Sequence, residues 1–303
     1  MKLRFEDGNC RRQPDPFIFE SGGRYYLYVT AHNGVEAYSA PSPFDEWHFE
    51  GIVCQVEGWC EYWAPCIMEE DGWFYLYYSC YSDVMPQCLH VSRSRSPLGP
   101  FGETKRLFDR FTIDAHVVKT GAGLFLWYAE DNLKPERVGT RVFVDKLLDP
   151  YTPAYQPVEA VVPTLEEEMF RRNRYGDGTD YYTLEGPFWL TEGGWQYIMY
   201  SGACYDNDTY HIGYAVAKTE EQDLTKVHYV KHTNDGKFAP LIIRNDFEEG
   251  TGHHSVIRYK GEYYAVYHGR DLDAGEGEQR TARICKLKIA DGIITAERYS
   301  DRV

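Results

Sequence analysis

The stretch Thr183–Gly202, TLEGPFWLTEGGWQYIMYSG, decides how the chain is read. A carboxylate, Glu185, comes first, followed by Gly186 and Pro187. A short apolar run, a Gly-Gly turn and a second, aromatic run complete the stretch, the pattern of a β-hairpin. A Glu entering a core costs several kcal/mol, on the order of a lost ion pair, unless it is paired or used. Its placement makes sense only if the same pattern recurs elsewhere.

It recurs four times. DPFIFESGGRYYLYVT begins at Asp15, WAPCIMEEDGWFYLYYS at Trp63, IDAHVVKTGAGLFLWYAE at Ile113 and GHHSVIRYKGEYYAVYHG at Gly252. Each copy places a polar or special residue before an apolar strand, a Gly-containing turn and an aromatic, alternating strand. The lead residues Asp15, Trp63, Asp114, Glu185 and His253 are separated by 48, 51, 71 and 68 positions. Further strand-like pieces follow the first, second, fourth and fifth hairpins: AYSAPSPFDEWHFEGIV, LHVSRSRSPLGPFGE, HIGYAVAKTEEQDLTKVHYV and ARICKLKIADGIITAERY. Five four-stranded sheets arranged radially make an all-β, five-bladed β-propeller, which fits five similar hairpins better than a two-sheet sandwich. The third blade departs most, and residues 135–180, Pro135 to Asp180, read as an extended insertion. No linker or low-complexity segment interrupts the chain, so residues 1–303 are expected to form a single catalytic propeller domain.

Radial geometry answers the question raised by Glu185. Inner strands run along the propeller axis, so lead residues far apart in sequence meet at one end of it. Glu185 is then expected at the rim of an axial funnel, facing Asp15 and Asp114. Like charges at close range push pKa values apart, holding one acid protonated and another ionised. Glycosidic cleavage needs that division.

The bulk numbers agree. Of the 303 residues 43% are hydrophobic, and 26 of the 48 aromatics are Tyr, a composition suited to β-structure and aromatic-walled clefts. The net charge of −15 argues against nucleic acid or an anionic membrane surface as partner, disfavours acidic polymers as substrates unless a local field overrides it, and leaves neutral ligands open. No stretch approaches the length of a spanning helix. The first thirteen residues, MKLRFEDGNCRRQ, contain no signal-peptide core, so a cytoplasmic location is expected. Cys54, Cys60 and Cys66 are each six apart, which matches no usual zinc spacing, and all eight cysteines read as ordinary thiols.

The motifs DPF at Asp15, WAP at Trp63, IDAH around Asp114, EGP at Glu185 and GHHS around His253 resemble glycoside hydrolase family 43, from about residue 13 to 290. The resemblance implies an inverting five-bladed propeller. In it Asp15 is the general base that activates water, Glu185 the general acid, and Asp114 a third carboxylate that tunes and orients the acid. It also implies that His253 stands at a metal site on the axis, with calcium as a structural ion and no cofactor needed for chemistry. Arg280, in EQRTARICKL, is implied as a sugar contact, although Arg283 lies close by. Trp63 offers a sugar-stacking face or plain blade packing. Where the family usually has Pro after the middle Asp, this chain has Ala115, which leaves the local backbone shape open.

The reading is an inverting exo-glycosidase that removes terminal α-L-arabinofuranosyl residues from short arabinose- or xylose-containing oligosaccharides. A β-xylosidase on the same scaffold is the alternative. From other classes, a non-catalytic carbohydrate-binding propeller is the alternative that the three carboxylates argue against, and a protein-interaction propeller is one that predicts a broad apolar or charged face and an unimportant funnel. Linkage preference and oligomeric state leave no trace in the sequence.

Overall fold

The computed structural model describes residues 1–8, 10–134, 136–272, 274 and 279–300. These form five antiparallel blades. Blade one is built from Phe17–Ser21, Arg24–Val29, Val35–Ala40 and Glu46–Cys54, and blade two from Cys60–Glu70, Trp73–Ser82, Met85–Ser94 and Gly102–Arg106. Blade three comprises Thr112–Thr120, Gly123–Asn132, Val138–Asp149 and Val158–Val161. Blade four comprises Tyr181–Glu192, Trp195–Gly202, His211–Lys218 and Val230–Lys231, and blade five Glu249–Tyr259, Glu262–Arg270, Thr281–Ala290 and Ile293–Glu297. The five inner strands touch one another in a closed ring, each against the next and the fifth against the first. This is a five-bladed propeller. Among the described residues, no helix is long and apolar enough to cross a membrane.

The core lies between blades. The second strands are covered on both faces, which is why they read as near-continuous aromatic and apolar runs rather than strict alternation. Tyrosine suits this position because an apolar ring fills the gap while its hydroxyl reaches the neighbouring backbone. Tyr77 of blade two donates to the Pro150 carbonyl at 2.8 Å. From blade four, the hydroxyls of Tyr197 and Tyr214 accept the Gly292 and Ile294 N–H groups of blade five at 3.0 and 3.2 Å.

Two devices close the ring. The first five residues stitch blade five to blade one. The Leu3 N–H donates to the Ala282 carbonyl at 2.9 Å, and Arg4–Phe5 pairs in parallel with Glu46 and Trp47. Blades three and four fuse through a parallel pairing of Val138, Gly139 and Thr140 with Tyr181, Tyr182 and Thr183. Gly139 is required there. Its φ is +143°, and a Cβ would lie 1.8 Å from the Tyr182 carbonyl oxygen. Gly139→Ala is expected to cost about 3 kcal/mol or more, read as a lowered urea midpoint.

The expected insertion is corrected. Pro135, its first residue, lies outside the described residues. Most of 135–180 is the outer half of blade three, including the twelve-residue strand Val138–Asp149. The true excursion begins after Val161 and holds a short helical turn, Glu166–Glu168, and the strand Met169–Arg171. The continuous run VGTRVFVDKLLD lacks the hairpin punctuation seen elsewhere, which hid it in the sequence.

Candidate active site

In every blade the chain takes one left-handed residue at the same end of the axis: Asp15 (φ +53°), Ala64 (+47°), Asp114 (+63°), Gly186 (+58°) and His253 (+45°). In blades two to five the strand register slips at this point, the mark of a β-bulge. A bulge re-aims its side chain and frees an amide from the ladder. Four of these amides are accepted by the preceding blade. Ala64 donates to Thr30 Oγ1 (2.7 Å), Gly186 to Asp114 Oδ2 (2.9 Å), His253 to Ser201 Oγ (2.7 Å) and Asp15 to His268 Nδ1 (3.1 Å). The ring of bulges is thus locked blade to blade, and non-glycine left-handed residues persist because their surroundings over-determine them. Asp114 adopts this conformation with Ala115 after it, so a following Pro is not needed for it. The structural equivalents in blades two and four are Ala64 and Gly186, one residue beyond Trp63 and Glu185.

Asp15, Asp114, Glu185, His253, Arg280 and Trp63 all line one pocket of about 530 Å³. Asp15 Oδ1 accepts from Arg280 Nη1 at 3.1 Å, and Oδ2 from the Thr30 hydroxyl at 2.6 Å. Burial would raise its pKa, but the Arg280 guanidinium, with His253 beside it, holds the carboxyl well below the ordinary carboxylate range. Glu185 goes the other way. Burial raises it, the Tyr210 hydroxyl donated to Oε1 at 2.6 Å pulls it down, the Asp15 charge pushes it up, and it stands at about 7. Burial and the facing carboxylates of Glu185 and Asp15 also hold Asp114 well above its usual value. Arg283 is the structural arginine of the pair. It is buried behind the site against Asp271 at 2.8 Å and Glu248 at 3.3 Å.

His253 Nδ1 lies 3.4 Å from Asp15 Oδ1 and 3.9 Å from Asp114 Oδ2, and burial lowers its pKa, so the ring is neutral at pH 7. Beneath it the axis is plugged by Phe17, His116, Phe188 and His254. His116 stacks on Phe188 at 4.2 Å, and burial lowers His116 to about 4 and His254 to about 3. Among the described residues, no group of three or more His, Cys, Asp or Glu side chains has the arrangement to hold a metal ion. Calcium takes six to eight oxygen ligands. The rings that plug the axis offer calcium no oxygen, so an ion held at His253 would draw most of its shell from water, and the chemistry below uses no metal.

Trp63 stands at the pocket wall with its indole N–H donated to Glu61 Oε2 at 3.0 Å, and Glu61 Oε1 lies 2.5 Å from His32 Nδ1. The sequence reading missed Thr30, His268, Tyr210 and Glu61. A signal existed for two of them. Thr30 and His268 sit towards the end of the return strand of their hairpins, as Ser79 and Ser201 do in theirs, so four of the five hairpins place a second polar residue opposite the lead position, and the third places Ala129 there. Tyr210 carried none. It reaches Glu185 because Gly252, whose Cβ would lie 2.0 Å from the Tyr210 ring, leaves room for it.

A family model, Glycosyl hydrolases family 43, matches residues 10–294. The chain belongs to glycoside hydrolase family 43. Among relatives it is similar to an enzyme of Streptomyces avermitilis named extracellular exo-alpha-(1->5)-L-arabinofuranosidase, 26% identical over 98% of this chain and 66% of that protein. The chain thus spans about two thirds of that relative's length. Among solved structures it is similar to a thermostable family-43 glycoside hydrolase, 28% identical with a TM-score of 0.81, covering 95% of this chain and 93% of that one. An alpha-L-arabinofuranosidase from Lactobacillus brevis, 18% identical with a TM-score of 0.77 over 94% and 93% of the two chains, shares the fold. The family identity makes the substrate a carbohydrate, and the chemistry of the family generally needs no cofactor. The expected cytoplasmic location is overturned by the relative named as extracellular. A secretory leader is removed from the mature protein, so its lack in a chain says nothing about location.

Proposed function

We propose that this family 43 chain is an inverting exo-glycosidase that releases terminal α-L-arabinofuranosyl residues. The observation that carries the mechanism is the opposite electrostatic treatment of two carboxylates in one pocket, with Asp15 held ionised and Glu185 raised to about 7. Asp15, fixed by Arg280 and Thr30, takes the proton of a water that attacks the anomeric carbon. Glu185 gives its proton to the departing oxygen in the same displacement, and the configuration inverts. Asp114 acts without touching the sugar. Its Oδ2 grips the Gly186 N–H, next to the acid, and so orients Glu185. Trp63, held by Glu61, offers an aromatic face to the apolar side of a sugar ring. The arabinofuranosyl preference is supported by the name of the Streptomyces relative.

Hydrolysis of paired aryl glycosides, α-L-arabinofuranoside and β-D-xyloside, with the product anomer followed by NMR, tests this. Faster release from the arabinofuranoside with an inverted first product is the expected result. A xyloside preference keeps the mechanism and replaces the substrate. A retained anomer removes the roles assigned to Asp15 and Glu185.

The acid's hydrogen bond makes a separate prediction. A donor to a carboxylate favours the ionised form, so its loss raises the pKa. Tyr210→Phe is expected to move the alkaline limb of kcat/KM from about pH 7 to higher pH. A shift to lower pH would remove Tyr210 from this role.

A further inference from the structure

The excursion that leads into blade four carries the segment MFRRNRYGDG, Met169–Gly178, with three arginines in a chain of net charge −15. It is docked on the wall of the site. Phe170 lies 6.5 Å from Tyr205 between ring centroids, and Tyr205 lines the pocket with the Arg280 guanidinium 4.8 Å over its ring. The Arg174 guanidinium lies 4.0 Å over Tyr181 and 4.7 Å over Phe170, and that of Arg171 lies 5.7 Å over the same Phe170. Arg172 is paired with Asp180 at 3.4 Å. Among the described residues, Arg171 and Arg174 have no carboxylate at ion-pair distance, and both are exposed. Stacking orients a guanidinium while leaving its in-plane N–H donors free, and those donors match a carboxylate. Arg174 is near enough to Glu185 for its charge to be felt there.

The proton donor touches the departing oxygen, so groups beside Glu185 face the leaving part of the substrate. We propose that Arg171 and Arg174 form an anion subsite for a carboxylate on the leaving-group sugar, so that the preferred substrates are acidic, uronate-bearing oligosaccharides. The inference rests on Glu185 being the acid. The competing account is that both arginines only brace the loop through their aromatic contacts.

The test uses two arabinofuranosyl disaccharides that differ only in the leaving sugar, galactose or galacturonic acid. Charge-assisted hydrogen bonds of the usual strength predict a kcat/KM ratio of roughly 10 or more in favour of the acidic substrate, carried mainly by KM. The ratio is expected to shrink as ionic strength rises. It is expected to fall to about one in the Arg171→Gln/Arg174→Gln variant, with Arg174→Lys intermediate. A ratio near one in the wild type, or a ratio that survives in the double variant, overturns the subsite. A loop brace would slow both substrates together and leave the ratio in place. Calorimetry of galacturonic acid and galactose, with wild type and double variant, reads the subsite without turnover. Equal binding of the two sugars by the wild type also overturns it. Hydrolysis of the neutral disaccharide tests the acid assignment on its own, so the two readings fail separately.

Discussion

Asp15→Asn is expected to lower kcat/KM by about 10³- to 10⁴-fold, the contribution of a positioned base. The amide keeps the size of the side chain and can still accept from Thr30, so the pocket should retain its shape. It has no charge with which to take a proton from water. Two further readouts separate this from simple misfolding. The Asp15 charge pushes Glu185 up, so the residual activity of Asp15→Asn should lose its alkaline limb at a lower pH than the wild type's, which is set near 7. The depressed pKa of Asp15 means that its charge stabilises the fold above the ordinary carboxylate range, and that this stability is lost as pH falls through the folded value. The variant should therefore be less stable than the wild type at pH 7, with the gap closing in acid. Full activity in a folded Asp15→Asn would end the base assignment.

Glu185→Gln separates by leaving group. An acid matters when the departing oxygen is a poor leaving group and matters little when it departs as a stable anion. The variant is expected to lose about 10²- to 10⁴-fold on an arabino-oligosaccharide and far less on a dinitrophenyl arabinofuranoside. Equal losses on both would point to a binding or structural role. The same substitution should stabilise the protein at high pH. An acid whose pKa rises on folding from 4.5 to about 7 favours the neutral form in the fold. It costs stability as pH climbs through that window, by about 3 kcal/mol at its upper end. Glu185→Gln removes that cost, so its melting temperature should exceed the wild type's at pH 8 and approach it at pH 4. A variant less stable at pH 8 would contradict the raised pKa.

The radial fold was legible because each hairpin announces itself over about eighteen residues. An apolar run, a glycine turn and an aromatic run need no long-range information. The lead residues were legible to within one position. In blades two and four the left-handed residue is Ala64 or Gly186, and the side chains that reach the pocket are those just before, Trp63 and Glu185. Period-two counting cannot place a bulge, because the extra residue is left unpaired and only shifts the alternation from that point on. The outer half of blade three was misread as insertion because its strands follow no repeat of the hairpin pattern.

The sequence by itself determined the number of blades, the ends of the inner strands and the placing of three carboxylates at one mouth, since local alternation and turn chemistry specify each hairpin. The tertiary structure alone decided which carboxylate is ionised. Arg280 meets Asp15 across 265 positions, Gly186 meets Asp114 across 72, and Tyr210 meets Glu185 across 25. A pKa is set by burial and by charges a few ångströms away, and those neighbours come together only when the five blades close.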